Sequence, residues 1–282
     1  AVLKKQKTPT TRLEKVLAKR KTINVFRAWN NDYGTKKYGL YWAGTPSEPG
    51  PSNLGLRELY WNYHYPNKYR GHYPGLKRFI TKKKWAARGH SASGEYGKTV
   101  WVNYFHPDFA DYFSDLILKR TRRFDGVIFD WWHNDHPGEG NKIKIKMARR
   151  KIAEAIRNKM GEEFIILGNV NWHGNGDTHD LINGVYMELA KSKKTSSAYS
   201  CKEIAKIEKL IKFHDQNLSE PRIIAVEPWR ITKKVSKELQ KKLTIEHMGV
   251  ERDIPKSKQK WWAKFWKMRY RSSPENIQFA KL

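Results

Sequence analysis

The sequence has a single cysteine, Cys201, in 282 residues. No disulfide can form within the chain, and no thiolate cluster can hold a metal. The fold must therefore rest on its apolar core. No apolar run approaches the ~18 residues needed to cross a membrane, and no secretory apolar segment stands at the start of the sequence. Nucleotide-binding and Ser-nucleophile motifs are missing: there is no P-loop, no GxGxxG after a strand and no GxSxG. The histidines are scattered. His133, His136 and His173 with Asp135 lack a helical i, i+4 pair or a compact ligand spacing, so no metal and no cofactor are expected.

Acidic residues are also scarce. Against 56 Lys and Arg stand 28 Asp and Glu, a formal net charge of +28. Such a surface attracts polyanions, whether nucleic acid, anionic membrane or acidic polysaccharide. The charge is spread along the whole chain, so a general lysine bias explains it as well. Residues 1–21 concentrate Lys4, Lys5, Lys7, Arg12, Lys15, Lys19, Arg20 and Lys21 against Glu14. They read as a basic extension, either gripping a polyanion or serving as a solvated arm.

What is present is enough for one domain over residues 22–282: 39% of residues are hydrophobic, and α/β barrels reach this length as single domains. Eight short apolar runs read as strands: Ile23–Trp29, Gly39–Thr45, Glu58–Tyr65, Gly126–Trp131, Phe164–Asn169, Gly184–Leu189, Arg222–Glu227 and Thr244–Val250. Several are continuous rather than alternating, as in parallel strands covered on both faces. Helical spacing appears at Pro107–Arg120, Lys142–Met160, Glu203–Phe213 and Val235–Leu243. Trp261, Trp262 and Trp266 share one side of a further C-terminal helix. The Gly-, Pro- and Tyr-rich stretch Pro46–Thr99 reads as long loops over a barrel mouth. Strand alternating with helix implies right-handed βαβ units, and eight strands favour an α/β fold of the (β/α)8 TIM-barrel type.

The chemistry concentrates at strand ends. Phe124-Asp125-Gly126-Val127-Ile128-Phe129-Asp130 is a buried strand closing on a carboxylate, followed by Trp131, Trp132, His133, Asn134 and Asp135. In a barrel that end opens into the active site, so Asp130 is a candidate catalytic group; capping the next loop is the alternative. Glu188 ends Gly184–Leu189 in the same way, two strands later, with a salt bridge to a lysine as its alternative. Glycoside hydrolysis needs such a pair, one carboxylate at the anomeric carbon and one protonating the leaving oxygen. Asn169 and Asn171 can bond sugar hydroxyls or merely complete a turn. Glu227 is another acid at a strand end. The sequence holds 12 Trp. Trp131, Trp132, Trp172 and Trp229, with His133 and Asp135, are candidate sugar contacts, although core packing accounts for some of the rings.

Further runs carry a family resemblance. Val100–Tyr104, then His106-Pro107, an amphipathic helix and Phe124–Asp130 resemble the glycosyl-hydrolase-like barrel families. So do Lys84–Gly94, with Trp85 and Arg88, and the GNVN and NGVYMEL segments. The resemblance spans Lys84–Trp229. Where those families carry Asn-Pro, this chain has His106-Pro107, with Asn103 earlier. The resemblance implies a (β/α)8 barrel acting on glycosidic bonds, in the manner of retaining α-glycosidases. Asp130 at the end of strand four would then be the nucleophile and Glu188 at the end of strand six the acid/base. The expected partner is a poly- or oligosaccharide. The alternatives are a catalytically inactive carbohydrate-binding barrel in a structural or adhesion assembly, for example a virion, and a nucleic-acid-binding protein. An extracellular or virion setting suits either carbohydrate reading.

Overall fold

The computed structural model describes residues 15, 24–28, 40–43, 48–51, 53–64, 73–85, 99–136, 141–189, 201–219, 222–228 and 277–279. In chain order these form β1 (Asn24–Ala28), β2 (Leu40–Ala43), β3 (Leu54–Leu59), β4 (Tyr63–His64), β5 (Ile80–Trp85), β6 (Thr99–Val102), α1 (Phe109–Arg120), β7 (Gly126–Phe129), α2 (Lys142–Met160), β8 (Ile165–Asn169), β9 (Gly184–Leu189), α3 (Cys201–Asn217), β10 (Ile223–Pro228) and β11 (Ile277–Phe279). The basic extension, Val235–Leu243, Thr244–Val250 and the C-terminal Trp cluster lie outside the described residues, apart from Lys15.

The main sheet is curled and mostly parallel. Its order is β1-β11-β10-β9-β8-β7-β3-β2, and β1 also pairs β2, so the pairing returns on itself. The strands alternate side chains between two apolar layers. Leu40, Trp42, Leu54, Leu56, Ile128, Ile165, Leu167, Tyr186, Ile223 and Ala225 form the inner cluster. Val127, Phe129, Ile166, Val185, Met187 and Ile224 face outward and join Phe113, Ile117, Ile152, Ile156, Ile207 and Ile211 of the helices. Each such side chain removed from water contributes about 1.5–3 kcal/mol, so the apolar stripe of each helix fixes it against the sheet.

α2 starts and stops where its local chemistry dictates. The Asn141 side chain accepts from the Ile143 and Lys144 amides, both at 3.1 Å, which satisfies two orphan N–H groups. Gly161, at φ 75°, ends it in a conformation that side-chain-bearing residues disfavour. Arg157, buried in its last turn, donates to the carbonyls of Leu181, Gly161 and Phe164 and to Asn183 Oδ1. That guanidinium ties the helix to the loops entering β8 and β9.

Three expectations change. The run Glu58–Tyr65 is not one strand: the chain leaves the main sheet at Leu59 and re-enters pairing in β4. β3 itself begins at Leu54, hidden from a pattern search by Pro51 and Gly55; an added Cβ at Gly55 would meet the Tyr41 hydroxyl at 2.7 Å. The stretch expected as loops holds an antiparallel sheet of order β4-β6-β5. Finally, β11 lies between β10 and β1 and is antiparallel to both, where eight parallel strands were expected. An antiparallel partner satisfies the edge N–H and C=O groups of both neighbours equally well.

Candidate active site

The alternation that turns Ile128, Leu167 and Tyr186 inward continues two residues further on each strand, to Asp130, Asn169 and Glu188. All three sit above the inner apolar layer, at the C-terminal ends of β7, β8 and β9. Asn169, 2% exposed, is the link between the acids. Its Nδ2 donates to Asp130 Oδ1 and to Glu188 Oε2, at 2.8 Å in each case. The two N–H bonds of a planar amide diverge by roughly 120°, which sets the bridged oxygens about 5 Å apart. Asn169 Oδ1 accepts from the Asn171 amide at 3.2 Å, which fixes which face of the side chain is the donor.

Asp130 is held by further donors. Tyr63 O–H donates to its Oδ2 at 2.6 Å, and the Trp131 amide donates to Oδ1 at 3.0 Å. The Asp130 carbonyl accepts from the indole of Trp61 at 3.0 Å. Donors converging on both oxygens suit an ionised carboxylate. Trp61 and Tyr63 arrive from the antiparallel insertion, where Tyr63 is register partner of Trp101. Sequence reasoning missed both. It treated Glu58–Tyr65 as one continuous strand, with no sign of the bend that delivers Tyr63 to Asp130. Glu58 is also buried, two residues after Leu56 of the inner cluster and in register with Ile128.

Beyond Asp130 the chain turns sharply. Trp131 has φ 54° and Asn171 φ 49°; the left-handed region is tolerated by Asn and costly for Trp. The turn separates two adjacent tryptophans. Trp131 stays half-exposed and stacks on His133 with ring centroids 5.6 Å apart. Trp132, expected as a sugar contact, is instead 1% exposed, donating from Nε1 to Thr178 Oγ1 at 3.0 Å and stacked on Phe129. Its ring packs over Gly168, where an added Cβ would stand 2.3 Å from Trp132 Cδ1.

His133 is buried, with Nδ1 accepting from the Asp135 amide at 3.2 Å and Nε2 lying 3.1 Å from the Asn171 amide group. Its ring stacks on His173 at 4.3 Å. Burial, with the neighbouring His173 and His136, pushes its pKa down to about 2, so the ring is neutral. His136 is neutral too, pushed to about 4 chiefly by burial. Its Nε2–H faces the Trp131 carbonyl at 3.2 Å, and its Nδ1 lies 2.9 Å from the Tyr104 hydroxyl.

Asp135 lies at the exposed edge. It pairs with Lys142 at 2.8 Å and His173 at 3.4 Å, and the Lys142 hydrogen bond holds its carboxyl below the usual range. Trp172 is half-buried against the outer core, with the Lys206 ammonium 5.7 Å from its ring centre. Glu227 is the register partner of Glu188, and Trp229 lies outside the described residues. The turn is fastened from behind by Arg149, fully buried on α2. It donates to the Trp132 carbonyl at 3.0 Å, to Asn134 Oδ1 at 2.6 Å and to Asp177. Among the described residues, no group of three or more His, Cys, Asp or Glu is arranged to hold a metal ion, and no helix is long and apolar enough to cross a membrane.

At the level of sequence, no family model matches the chain and no curated protein does. Similarity appears among solved structures. The glycoside hydrolase domain of PelA from Pseudomonas aeruginosa superposes with a TM-score of 0.51 at 8% identity, covering 78% of this chain and 87% of that one. A single-residue variant of that domain gives 0.50 at 9% identity, covering 74% and 84%. An α-galactosidase from Thermus thermophilus reaches 0.44 at 9% identity, over 81% and 55%, too low to support an argument. At these identities the likeness concerns the fold alone: a curled parallel sheet with helices of the kind found in glycoside hydrolases.

Proposed function

We propose that this chain is a glycoside hydrolase acting on a poly- or oligosaccharide with retention, Asp130 serving as nucleophile and Glu188 as acid/base. The observation that carries the reading is the single Asn169 amide within hydrogen-bonding distance of both carboxylates. A separation near 5 Å between the two bridged oxygens falls close to the ~5–5.5 Å of retaining enzymes and below the ~6.5–9.5 Å of inverting ones. The curled sheet is read as a (β/α)8-type barrel whose eighth strand is antiparallel, with residues 22–282 as one domain and 1–21 as a basic extension. Fold similarity to glycoside hydrolases supports the class of reaction and no more.

In the first step an Asp130 oxygen attacks the anomeric carbon while Glu188 gives its proton to the departing glycosidic oxygen. The C–O bond breaks as the glycosyl–Asp130 ester forms. In the second step Glu188 takes a proton from water, whose oxygen displaces Asp130 and restores both groups. Tyr63 and Asn169 orient Asp130 throughout. Trp131 offers a half-exposed ring to the apolar face of a sugar, and Asn171 and His133 supply polar contacts beside it.

The test is release of reducing sugar from a panel of neutral and acidic glycans, with binding measured separately by calorimetry. Asp130→Asn and Glu188→Gln should each lower turnover by about a thousandfold or more while leaving glycan binding intact. Proton NMR of the first-formed product should show the substrate's own anomer. Unchanged turnover in Asp130→Asn refutes the assignment. Binding without turnover in the unaltered protein favours a carbohydrate-binding barrel instead.

A further inference from the structure

The left-handed turn that follows β7 is pinned at three successive carbonyls. The Asp130 carbonyl accepts from the Trp61 indole at 3.0 Å, the Trp131 carbonyl lies 3.2 Å from His136 Nε2, and the Trp132 carbonyl accepts from Arg149 at 3.0 Å. The Trp131 carbonyl also accepts from the His133 amide at 2.9 Å, a bond within the turn itself. His136 instead ties the turn to the rest of the molecule, because its other nitrogen meets Tyr104, which follows β6.

The direction of each bond follows from the acceptor. A carbonyl oxygen only accepts, so Nε2 of the neutral His136 ring carries the proton and Nδ1 is bare. Tyr104 O–H therefore donates to Nδ1, at 2.9 Å. The Asn62 side-chain amide stands 3.4 Å from Nε2, too long to compete with the carbonyl. Tyr104 and His136 are both buried. The imidazole also packs on Trp61, with ring centroids 5.0 Å apart. It thus touches the Trp61 ring that holds the Asp130 carbonyl and itself holds the next carbonyl along. Left-handed backbone is costly at a tryptophan and persists only where its surroundings over-determine it.

We propose that His136 is a positioning residue for Asp130. With its tautomer set by Tyr104, it holds the Trp131 carbonyl and so keeps the turn that aims the carboxylate. It acts through the backbone and makes no contact with the sugar. Its effect on turnover rests on the glycosidase reading; its effect on the turn does not.

Fluorine NMR of the full chain labelled with 5-fluorotryptophan reads the turn without a substrate, the Trp131 line being assigned by its loss in Trp131→Phe. In His136→Met that line should split or shift by more than its width. In His136→Gln, whose amide can still donate to the carbonyl, it should stay near its parent position. Tyr104→Phe should move it as His136→Met does, by less, and carries the test if His136→Met fails to fold. Turnover of a panel of 4-nitrophenyl α- and β-glycosides gives the second readout. His136→Met should lower kcat by about tenfold to a hundredfold through misplacement of the nucleophile, with KM within about twofold, and His136→Gln should recover kcat to within a few-fold of the parent. Ile207→Ala, which opens the core on α3, should lower Tm and leave both readouts unchanged, which separates positioning from plain loss of stability. An unmoved Trp131 line in His136→Met overturns the proposal, and so does equal displacement in His136→Gln, because packing rather than the hydrogen bond would then hold the turn. Parental kcat in His136→Met, in a chain that Asp130→Asn inactivates, overturns it as well. Parental turnover in Asp130→Asn refutes the glycosidase reading instead, and the fluorine line then decides alone whether His136 holds the turn.

Discussion

Four buried histidines make the fold acid-labile in a calculable way. His179 and His214 share one hydrogen bond, Nε2 to Nδ1 at 2.7 Å, between α3 and the loop before β9. Burial is the largest cause in each case and holds His133, His136, His179 and His214 at about 2, 4, 4 and 3. All are neutral in the folded chain at pH 5, whereas an unfolded histidine takes a proton below about 6.5. The unfolded state therefore binds more protons as pH falls. The stabilisation is complete above pH ~6.5 and is lost towards pH 4. At about 1.36 kcal/mol per pH unit per proton, each ring costs about 2 kcal/mol between pH 7 and 5. The ceiling for four is about 8 kcal/mol, comparable to the whole stability of many domains. Urea midpoints at pH 7, 6 and 5, read by tryptophan fluorescence, check this. Added salt at about 0.5 M screens the general repulsion of a cationic chain but should leave the slope. The double variant His179→Leu/His214→Phe should lose about half of it. A midpoint that does not move between pH 7 and 5, or a double variant with the full slope, refutes the reasoning.

The loop geometry yields further expectations. Gly168→Ala places a methyl against the Trp132 ring and should cost about 1–3 kcal/mol by overpacking, seen as a lower Tm and an altered near-UV dichroism; an unchanged Tm would mean the ring is not seated there. Arg149→Met leaves Asp177 buried without its cation and should cost about 3–5 kcal/mol in chemical denaturation, with Arg149→Lys intermediate because it keeps the charge and loses the fork. Asn169→Leu removes both charge-assisted bonds at the cleft, each worth about 1.5–3 kcal/mol. On the proposed mechanism it should lower Tm by several degrees or more and, in protein still folded at the assay temperature, lower kcat by about a hundredfold or more; a kcat within a few-fold of the parent would separate the amide from the chemistry.

What could be read from the chain was whatever its local pattern repeats. The continuous run Gly126–Phe129, the apolar β9 and the stripe of α2 emerge because burial on both faces, or on one helical face, leaves a periodic mark. α2 falls on the expected residues, Lys142–Met160. β5 leaves no such mark: Ile80-Thr81-Lys82-Lys83-Lys84-Trp85 is a strand by virtue of its pairing with β6, and its lysine run argues against a strand on composition alone. β11 pairs across a separation that no local rule predicts. At the cleft the same limit applies. The position of Asp130 and Glu188 at strand ends is legible in the sequence, but the hydroxyl that holds Asp130 comes from Tyr63, 67 residues earlier.

The tryptophans show how narrow the margin is between a ring left partly open to solvent and one packed in the core. Trp131 and Trp132 are identical in chemistry and adjacent in sequence, and the pattern of the chain assigns both to the cleft. What separates them is one left-handed residue at the end of β7 and the missing side chain of Gly168. The first rotates Trp131 towards solvent, and the second opens the space into which Trp132 sinks. Neither signal is one a reader weights from sequence, since positive φ at a tryptophan is costly and Gly168 looks like an ordinary strand glycine. The cost of the first is offset by what the second allows, a large ring removed from water, bonded to Thr178 and gripped through its carbonyl by Arg149. The turn that aims Asp130 at Asn169 is thus held in place by the core behind it, and that core sets the geometry on which the proposed chemistry depends.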